Sequence, residues 1–226
     1  MLNQTTARAV TSRHNPRSAP QVVNQSQLSA LELMGVPMTF PRGAEVYGEG
    51  EPSEYIYRVI SGSVRTYKIL DDGRRQIGAF HLPGDFLGLE AGEAHRFSAE
   101  AVAASTVLVI KRSALLARAS RDGDVARNLW NFTARELDRV GTHSLLLIQS
   151  AQERVASFLL EMAERLPGSD TIELPMSRQD IADYLGLTIE TVSRVLTKLE
   201  TQATIALPSA RRIQLRNRTA LQRLNA

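Results

Sequence analysis

Residues 189–198 gather Ile189, Glu190, Thr191, Ser193, Arg194 and Lys198. On a helix, the carboxylate of Glu190 and the guanidinium of Arg194 would stand one turn apart. Such groups recognise other groups by donating and accepting hydrogen bonds in defined geometry; they are not a bond-making set. Residues suited to catalysis are scattered. The four histidines, His14, His81, His95 and His143, fall in different segments, and none has the H-x-x-x-H or H-E-x-x-H spacing that puts two metal ligands on one helix face. There is no G-x-S-x-G elbow and no Walker lysine motif. Neither an enzyme nor a bound metal or cofactor is expected. The absence of cysteine excludes disulfides, a thiolate-held iron–sulfur cluster and thiol-based oxidant sensing.

The elements that must position these side chains are two short helices within residues 177–199, joined at Leu185-Gly186-Leu187. Gly186 can adopt a left-handed backbone, so one helix stops and another starts within three residues. Ser177 with Asp180 three residues on resembles a capping box, and Thr188 suits the N-cap of the second helix. In that second helix Val192, Val195, Leu196 and Leu199 share one face, and Glu190, Ser193, Arg194 and Thr197 the other. A Glu–Arg pair one turn apart is often only a solvated ion pair. Here it sits at the start of the second helix of a helix-turn-helix, the place from which side chains reach base edges in a DNA major groove. Glu accepts from cytosine N4, Arg donates to guanine O6 and N7, and Ile touches a thymine methyl.

Two short strands follow, over 204–207 and 212–215, with a turn at 208–211: a wing. From Thr201 onward the chain carries Arg211, Arg212, Arg216, Arg218 and Arg223 and no Asp or Glu. Beside a helix-turn-helix this basic surface suits phosphate. The expected base-reading residues are therefore Ile189, Glu190, Ser193 and Arg194. The expected phosphate contacts are Ser177, Arg178, Thr188, Thr191, Lys198, Arg211 and Arg212.

The 226 residues allow two domains, and a hydrophobic content of 43% is ordinary for a chain with a proper core. The net charge is only +3, so nucleic-acid binding must come from local patches and not from an overall basic field. No apolar run spans a bilayer and no secretory signal is evident, so a cytoplasmic location without membrane contact is expected. Residues 1–25 read as a mobile extension and 28–35 as one short helix. Glycine-punctuated strands over 55–60, 64–70, 76–82 and 101–110, with a hairpin at Asp71-Asp72-Gly73, indicate a β-roll over 26–120. A long helix over 124–148, within a segment spanning 121–149, carries Trp130, Ala134, Leu137, Gly141, Ser144 and Ile148 at alternating four- and three-residue spacing. This seam is read as a homodimer interface, the alternative being a helix packed only within its own chain. Leu129, Phe132, Val140, Leu145 and Leu147 widen the stripe, and His143 is read as a polar position near the seam. A second helix over 152–166 enters the DNA-reading unit, within a domain spanning 150–226, and 150–152 reads as a hinge. The fold class is thus α+β: an N-terminal cyclic-nucleotide-binding-like β-roll, a long dimerisation helix and a C-terminal winged helix-turn-helix.

In this order of parts the chain resembles the CRP/FNR superfamily of bacterial transcription regulators, most specifically in His81-Leu-Pro-Gly-Asp-Phe-Leu-Gly88 and in residues 177–198. Residues 189–194, Ile-Glu-Thr-Val-Ser-Arg, are similar to the FNR branch, which reads a TTGA half-site. The catabolite-activator branch instead has an arginine near position 189 and a glycine near position 193. The resemblance implies that Glu190 and Arg194 address the C and G of the TGA core and that Ser193 and Ile189 contact thymine. It also implies an operator close to TTGAT-N4-ATCAA and RNA polymerase as a partner of the roll. Two departures stand out. The chain lacks the cysteines of oxygen-sensing members, and it breaks the cyclic-nucleotide cassette: Gly88 is followed by Leu89, with Glu90 one place late, and the later segment reads His95-Arg96-Phe97-Ser98. His81 is read as a packed structural residue and not a haem ligand. Loss of both sensors beside an intact DNA reader looks like the FixK type within this superfamily, whose members activate genes for microoxic respiration, denitrification and nitrogen fixation and are controlled largely through their own synthesis. A ligand-gated sensor whose roll binds a small molecule or haem stays open, as does repression in place of activation.

Overall fold

In the computed structural model, which describes residues 34–168 and 170–224, short apolar-alternating runs pair into two antiparallel four-stranded sheets. The extension expected over 1–25 and most of the helix expected over 28–35 lie outside the described residues. Gly35, the last residue of that helix, instead opens a strand. One sheet has the order β1-β8-β3-β6, from Gly35–Phe40 (β1), Tyr55–Ser61 (β3), Phe86–Leu87 (β6) and Ser105–Lys111 (β8). The other has the order β2-β7-β4-β5, from Glu45–Tyr47 (β2), Val64–Ile69 (β4), Arg75–His81 (β5) and Ser98–Ala101 (β7). Tyr47, Tyr57, Val59, Val64, Ala99 and Val107 fill the space between them.

The strand expected over 101–110 is two strands in different sheets. The chain crosses at 102–104, where the Val102 amide donates to Ser63 O at 2.8 Å and the Ser105 hydroxyl donates to Ser63 O at 3.0 Å. The run 101–110 is apolar but for Ser105 and Thr106, and it shows no change of period that marks such a crossing.

Helices Arg112–Ala119 (α1), Gly123–Leu146 (α2) and Ala151–Arg165 (α3) follow. Asp122 caps α2, its carboxylate accepting from the amides of Asp124 and Val125. Val125, Leu129 and Phe132 of α2 pack on Ile56, Phe86, Leu108 and Ile110 of the roll, with the Phe86 and Phe132 rings 4.5 Å apart. The opposite face of α2 is open: Trp130 is 73% exposed and Leu137 71%. Val140, Leu145 and Leu147 are exposed too, so of the residues read as widening the stripe only Leu129 and Phe132 meet the roll. Ile148, placed on the helical seam from sequence, stands beyond the last turn, because Ser150 starts a new helix. Its hydroxyl accepts from the Glu153 amide, and its own amide donates to the Glu153 carboxylate at 2.7 Å.

The C-terminal part comprises Thr171–Glu173 (β9), Arg178–Leu185 (α4), Ile189–Thr201 (α5), Ile205–Ala206 (β10), Arg212–Leu215 (β11) and Arg218–Arg223 (α6). The wing is a three-stranded sheet, β10-β11-β9, in which β9 pairs with β11 through Ile172 and Ile213. Its core is continuous with the roll. Ile77, Phe80, Leu82 and Val102 join Phe158, Leu159, Ile181, Leu185 and Leu196 in one buried cluster.

Candidate nucleic-acid interface

Both helices of the DNA-reading pair are capped by their own side chains. Ser177 Oγ accepts from the Asp180 amide at 3.1 Å while the Ser177 amide donates to Asp180 Oδ2 at 2.9 Å. Gly186 ends α4 at φ 62°, ψ 40°, the left-handed conformation that strains any residue with a β-carbon. Thr188 Oγ1 accepts from the Thr191 amide at 3.2 Å and starts α5.

Val192, Leu196 and Leu199 of α5 are buried and Val195 half-buried, which turns Glu190, Arg194 and Thr197 to solvent. Ser193 is half-buried and accepts from Arg178 Nη1 at 3.4 Å, so the first helix braces the second. Ile189 is half-buried and packs against the core, leaving only part of it facing outward. Glu190 folds onto its own helix end: its own amide and the Thr188 hydroxyl, with Arg194 adding charge, hold its carboxyl below the ordinary range. Arg194 Nη2 donates to Thr191 Oγ1 at 3.3 Å. Of the four residues expected to read bases, Glu190 and Arg194 thus stand exposed near the N-terminal end of α5, while Ile189 and Ser193 are half-buried.

The expected phosphate-contacting residues divide. Thr188, Thr191 and Lys198 line the exposed side of α5, although Lys198 Nζ donates to Gln152 Oε1 of α3 at 2.7 Å. The Ser177 hydroxyl is consumed by the cap, donating to Asp180 Oδ2 at 2.8 Å. Arg212 is exposed at the wing and Arg211 half-buried.

Sequence reasoning missed Arg154. From α3 its guanidinium donates to Leu147 O at 2.6 Å, Leu185 O at 2.8 Å and Gln149 O at 2.9 Å. It therefore ties the end of α2 to the end of α4, satisfying carbonyls that the helix termini leave orphaned. Nothing in the spacing around position 154 announces this, since the three acceptors are backbone atoms brought together by folding.

The roll's segment after β6 is occupied by its own side chains. Glu90 Oε2 lies 2.6 Å from His95 Nδ1, and Glu90 Oε1 accepts from the Arg96 amide at 3.0 Å. The His95 ring stacks on Tyr47 with centroids 3.7 Å apart, while Arg96 itself is exposed. The Glu90 carboxylate is thus engaged within the roll. His81 is buried, beside Thr66 Oγ1 at 3.2 Å. Among the described residues no cluster of His, Asp and Glu suited to a metal ion is found, and no helix is long and apolar enough to cross a membrane.

A β-roll joined through a long helix to a winged helix-turn-helix defines a DNA-binding transcription regulator. The pattern of the Crp-like helix-turn-helix domain matches residues 153–224, and that of the cyclic nucleotide-binding domain residues 37–122. The nitrogen fixation regulation protein FixK of Azorhizobium caulinodans is 52% identical over 87% of this chain and 82% of its own. FixK of Rhizobium meliloti is 41% identical over 92% and 97%. The structure of FixK2 from Bradyrhizobium japonicum superposes with a TM-score of 0.82 at 53% identity, covering 85% of this chain and 98% of that one. The chain belongs to the FixK type of the CRP/FNR family, whose members are transcription regulators and not enzymes.

Proposed function

We propose that the protein acts as a homodimer that binds a palindrome close to TTGAT-N4-ATCAA and activates transcription by presenting the roll to RNA polymerase, without an iron–sulfur or cyclic-nucleotide effector. The observation that carries this reading is the outward-facing Glu190–Arg194 pair at the N-terminal end of a helix capped by Thr188, whose opposite face is buried. Glu190 and Arg194 address the cytosine and guanine of the half-site, with Ser193 and the outer part of Ile189 against thymine. Arg178, Thr188, Thr191, Lys198, Arg211 and Arg212 supply phosphate contacts and most of the salt-sensitive affinity. Ser177 acts through its cap. Trp130, Ala134, Leu137, Gly141 and Ser144 form the seam between protomers, and the exposure of Trp130 and Leu137 supports it. Two α5 helices then enter successive major grooves about 34 Å apart. The names of the FixK relatives favour promoters of nitrogen fixation as targets, and the family resemblance adds those of microoxic respiration.

The test is fluorescence anisotropy of a labelled TTGAT-N4-ATCAA duplex titrated in air, without ligand, beside a scrambled duplex at matched salt. A strong preference for the palindrome is expected. Equal weak binding to both would overturn the effector-independent reading and return attention to the roll.

A further inference from the structure

The first helix of the DNA reader is gripped from the roll. Asp180 is a capping residue, yet its Oδ1 also accepts from Arg65 Nη1 and from Arg75 Nη2, each at 2.7 Å. Those arginines lie on β4 and β5, 115 and 105 residues upstream. Arg75 also pairs with Asp183 at 2.7 Å and Arg65 with Glu100 at 2.8 Å, and the Tyr67 ring lies under both guanidinium groups, at 5.9 and 6.0 Å. Asp180 is 4% exposed, and a carboxylate so deeply placed requires partners that compensate its charge. A local capping box needs only the Ser177 contacts. The two arginines add something else: a directional tie from the roll to the helix that carries the recognition helix.

We infer that Arg65 and Arg75 are positioning residues that, through Asp180 and Asp183, fix the angle at which the DNA-reading domain stands on the roll, and thereby set the half-site spacing that the dimer accepts. A dimer on a palindrome is a bivalent binder, and the gain from the second contact is greatest when the separation of the two heads matches the span. A fixed angle sharpens that optimum. A loosened one lowers the peak and flattens the dependence on spacing. The spacing part rests on the dimeric reading proposed above; the angular part does not.

The experiment uses full-length chain. Because there is no cysteine, Arg42→Cys on the roll and Gln222→Cys on α6 give a unique spin-label pair within one chain. Labelled chain is diluted with excess unlabelled chain, and the distance distribution is read without DNA. In the Arg65→Gln/Arg75→Gln background the distribution is expected to widen about twofold. In parallel, the affinity ratio between the best and worst of N3, N4, N5 and N6 palindromes is expected to shrink from at least about tenfold to under about threefold, while binding to one isolated half-site is kept. Arg75→Gln alone should give a smaller change of the same kind, in case the double variant folds poorly. Glu100→Gln, which leaves both Asp180 contacts in place, should keep the narrow distribution. An unchanged distance distribution in folded double variant would overturn the proposal, and so would an unchanged spacing preference. If wild type ignores the palindrome altogether, the half-site reading fails together with the spacing claim, while a widened distribution would still uphold the angular one.

Discussion

His143 stacks on Tyr184, their ring centroids 4.2 Å apart and the planes 28° from parallel. One residue belongs to α2 and the other to α4, so the long helix touches the first helix of the DNA reader directly. Burial pushes the His143 imidazole below its ordinary pKa, which keeps the neutral ring in the stack. Tyr184 also meets Phe80 of the roll at 5.2 Å and Phe158 of α3 at 5.9 Å. Three other elements thus converge on one aromatic side chain of α4, and His143 belongs to this junction and not to the open face of α2.

Arg194→Ala should relax discrimination at the guanine of each half-site by about 1–3 kcal/mol, because the proposed bidentate base contact would be lost while the helix caps stay intact. Lys198→Ala should instead weaken cognate and scrambled DNA about equally and lower the salt slope of binding. Competition titrations with single-base operator variants separate the two. Equal losses on cognate and scrambled DNA for Arg194→Ala would sink the base-reading assignment.

Placing a charge in the middle of the proposed seam should separate protomers without disturbing either domain, since Leu137 is 71% exposed within the single chain. Leu137→Glu is expected to sediment as a monomer, to keep a native circular dichroism spectrum, and to lose most affinity for the palindrome while binding an isolated half-site as wild type does. A dimer of unchanged stability would refute the seam.

Gly186→Ala tests the turn. The added β-carbon would meet only Arg154 Nη1 and Leu147 Cδ2 at ordinary distances of 3.5 Å, so the penalty is conformational, roughly 1–2 kcal/mol for a left-handed residue. A melting temperature lowered by about 2–8 °C is expected. Gly123→Ala, at the first position of α2 where a β-carbon meets nothing within 4 Å, should leave it unchanged or higher.

Stability should carry a signature of His81. Burial drives its pKa down to about 4 from an ordinary 6.5, against the opposing charge of Asp85, so the native fold holds it neutral. Between those values the unfolded chain takes up a proton that the native state refuses, and stability falls as pH falls, by about 3 kcal/mol across the window. His81→Gln, compared with wild type in urea titrations at pH 7 and pH 4.5, should lose less stability between the two. Equal losses would place the acid sensitivity elsewhere, first in His143, whose imidazole burial also pushes below its ordinary range.

The reading unit was legible residue by residue because its determinants are local. Ser177 and Asp180, Gly186, and Thr188 and Thr191 interact within a few positions of one another, and the buried stripe of Val192, Leu196 and Leu199 follows from helical period alone. The roll was legible as a class but not strand by strand. β2 and β6 are too short to show alternation, and the crossing between β7 and β8 is set by Ser63 and Ser105, 42 residues apart.

By itself, the sequence determined the helix-turn-helix, its caps, the outward set led by Glu190 and Arg194, and the exclusion of thiol chemistry, because each depends on residue type and on spacing shorter than a helical turn or two. Only the tertiary structure decided that Asp180 is shared between its cap and two arginines of the roll, that Arg154 gathers the carbonyls of Leu147 and Leu185, and that His143 turns inward while Trp130 and Leu137 stay open. A buried charge and an orphaned carbonyl must be satisfied, but which distant group satisfies them depends on how the chain packs, and local pattern does not record that.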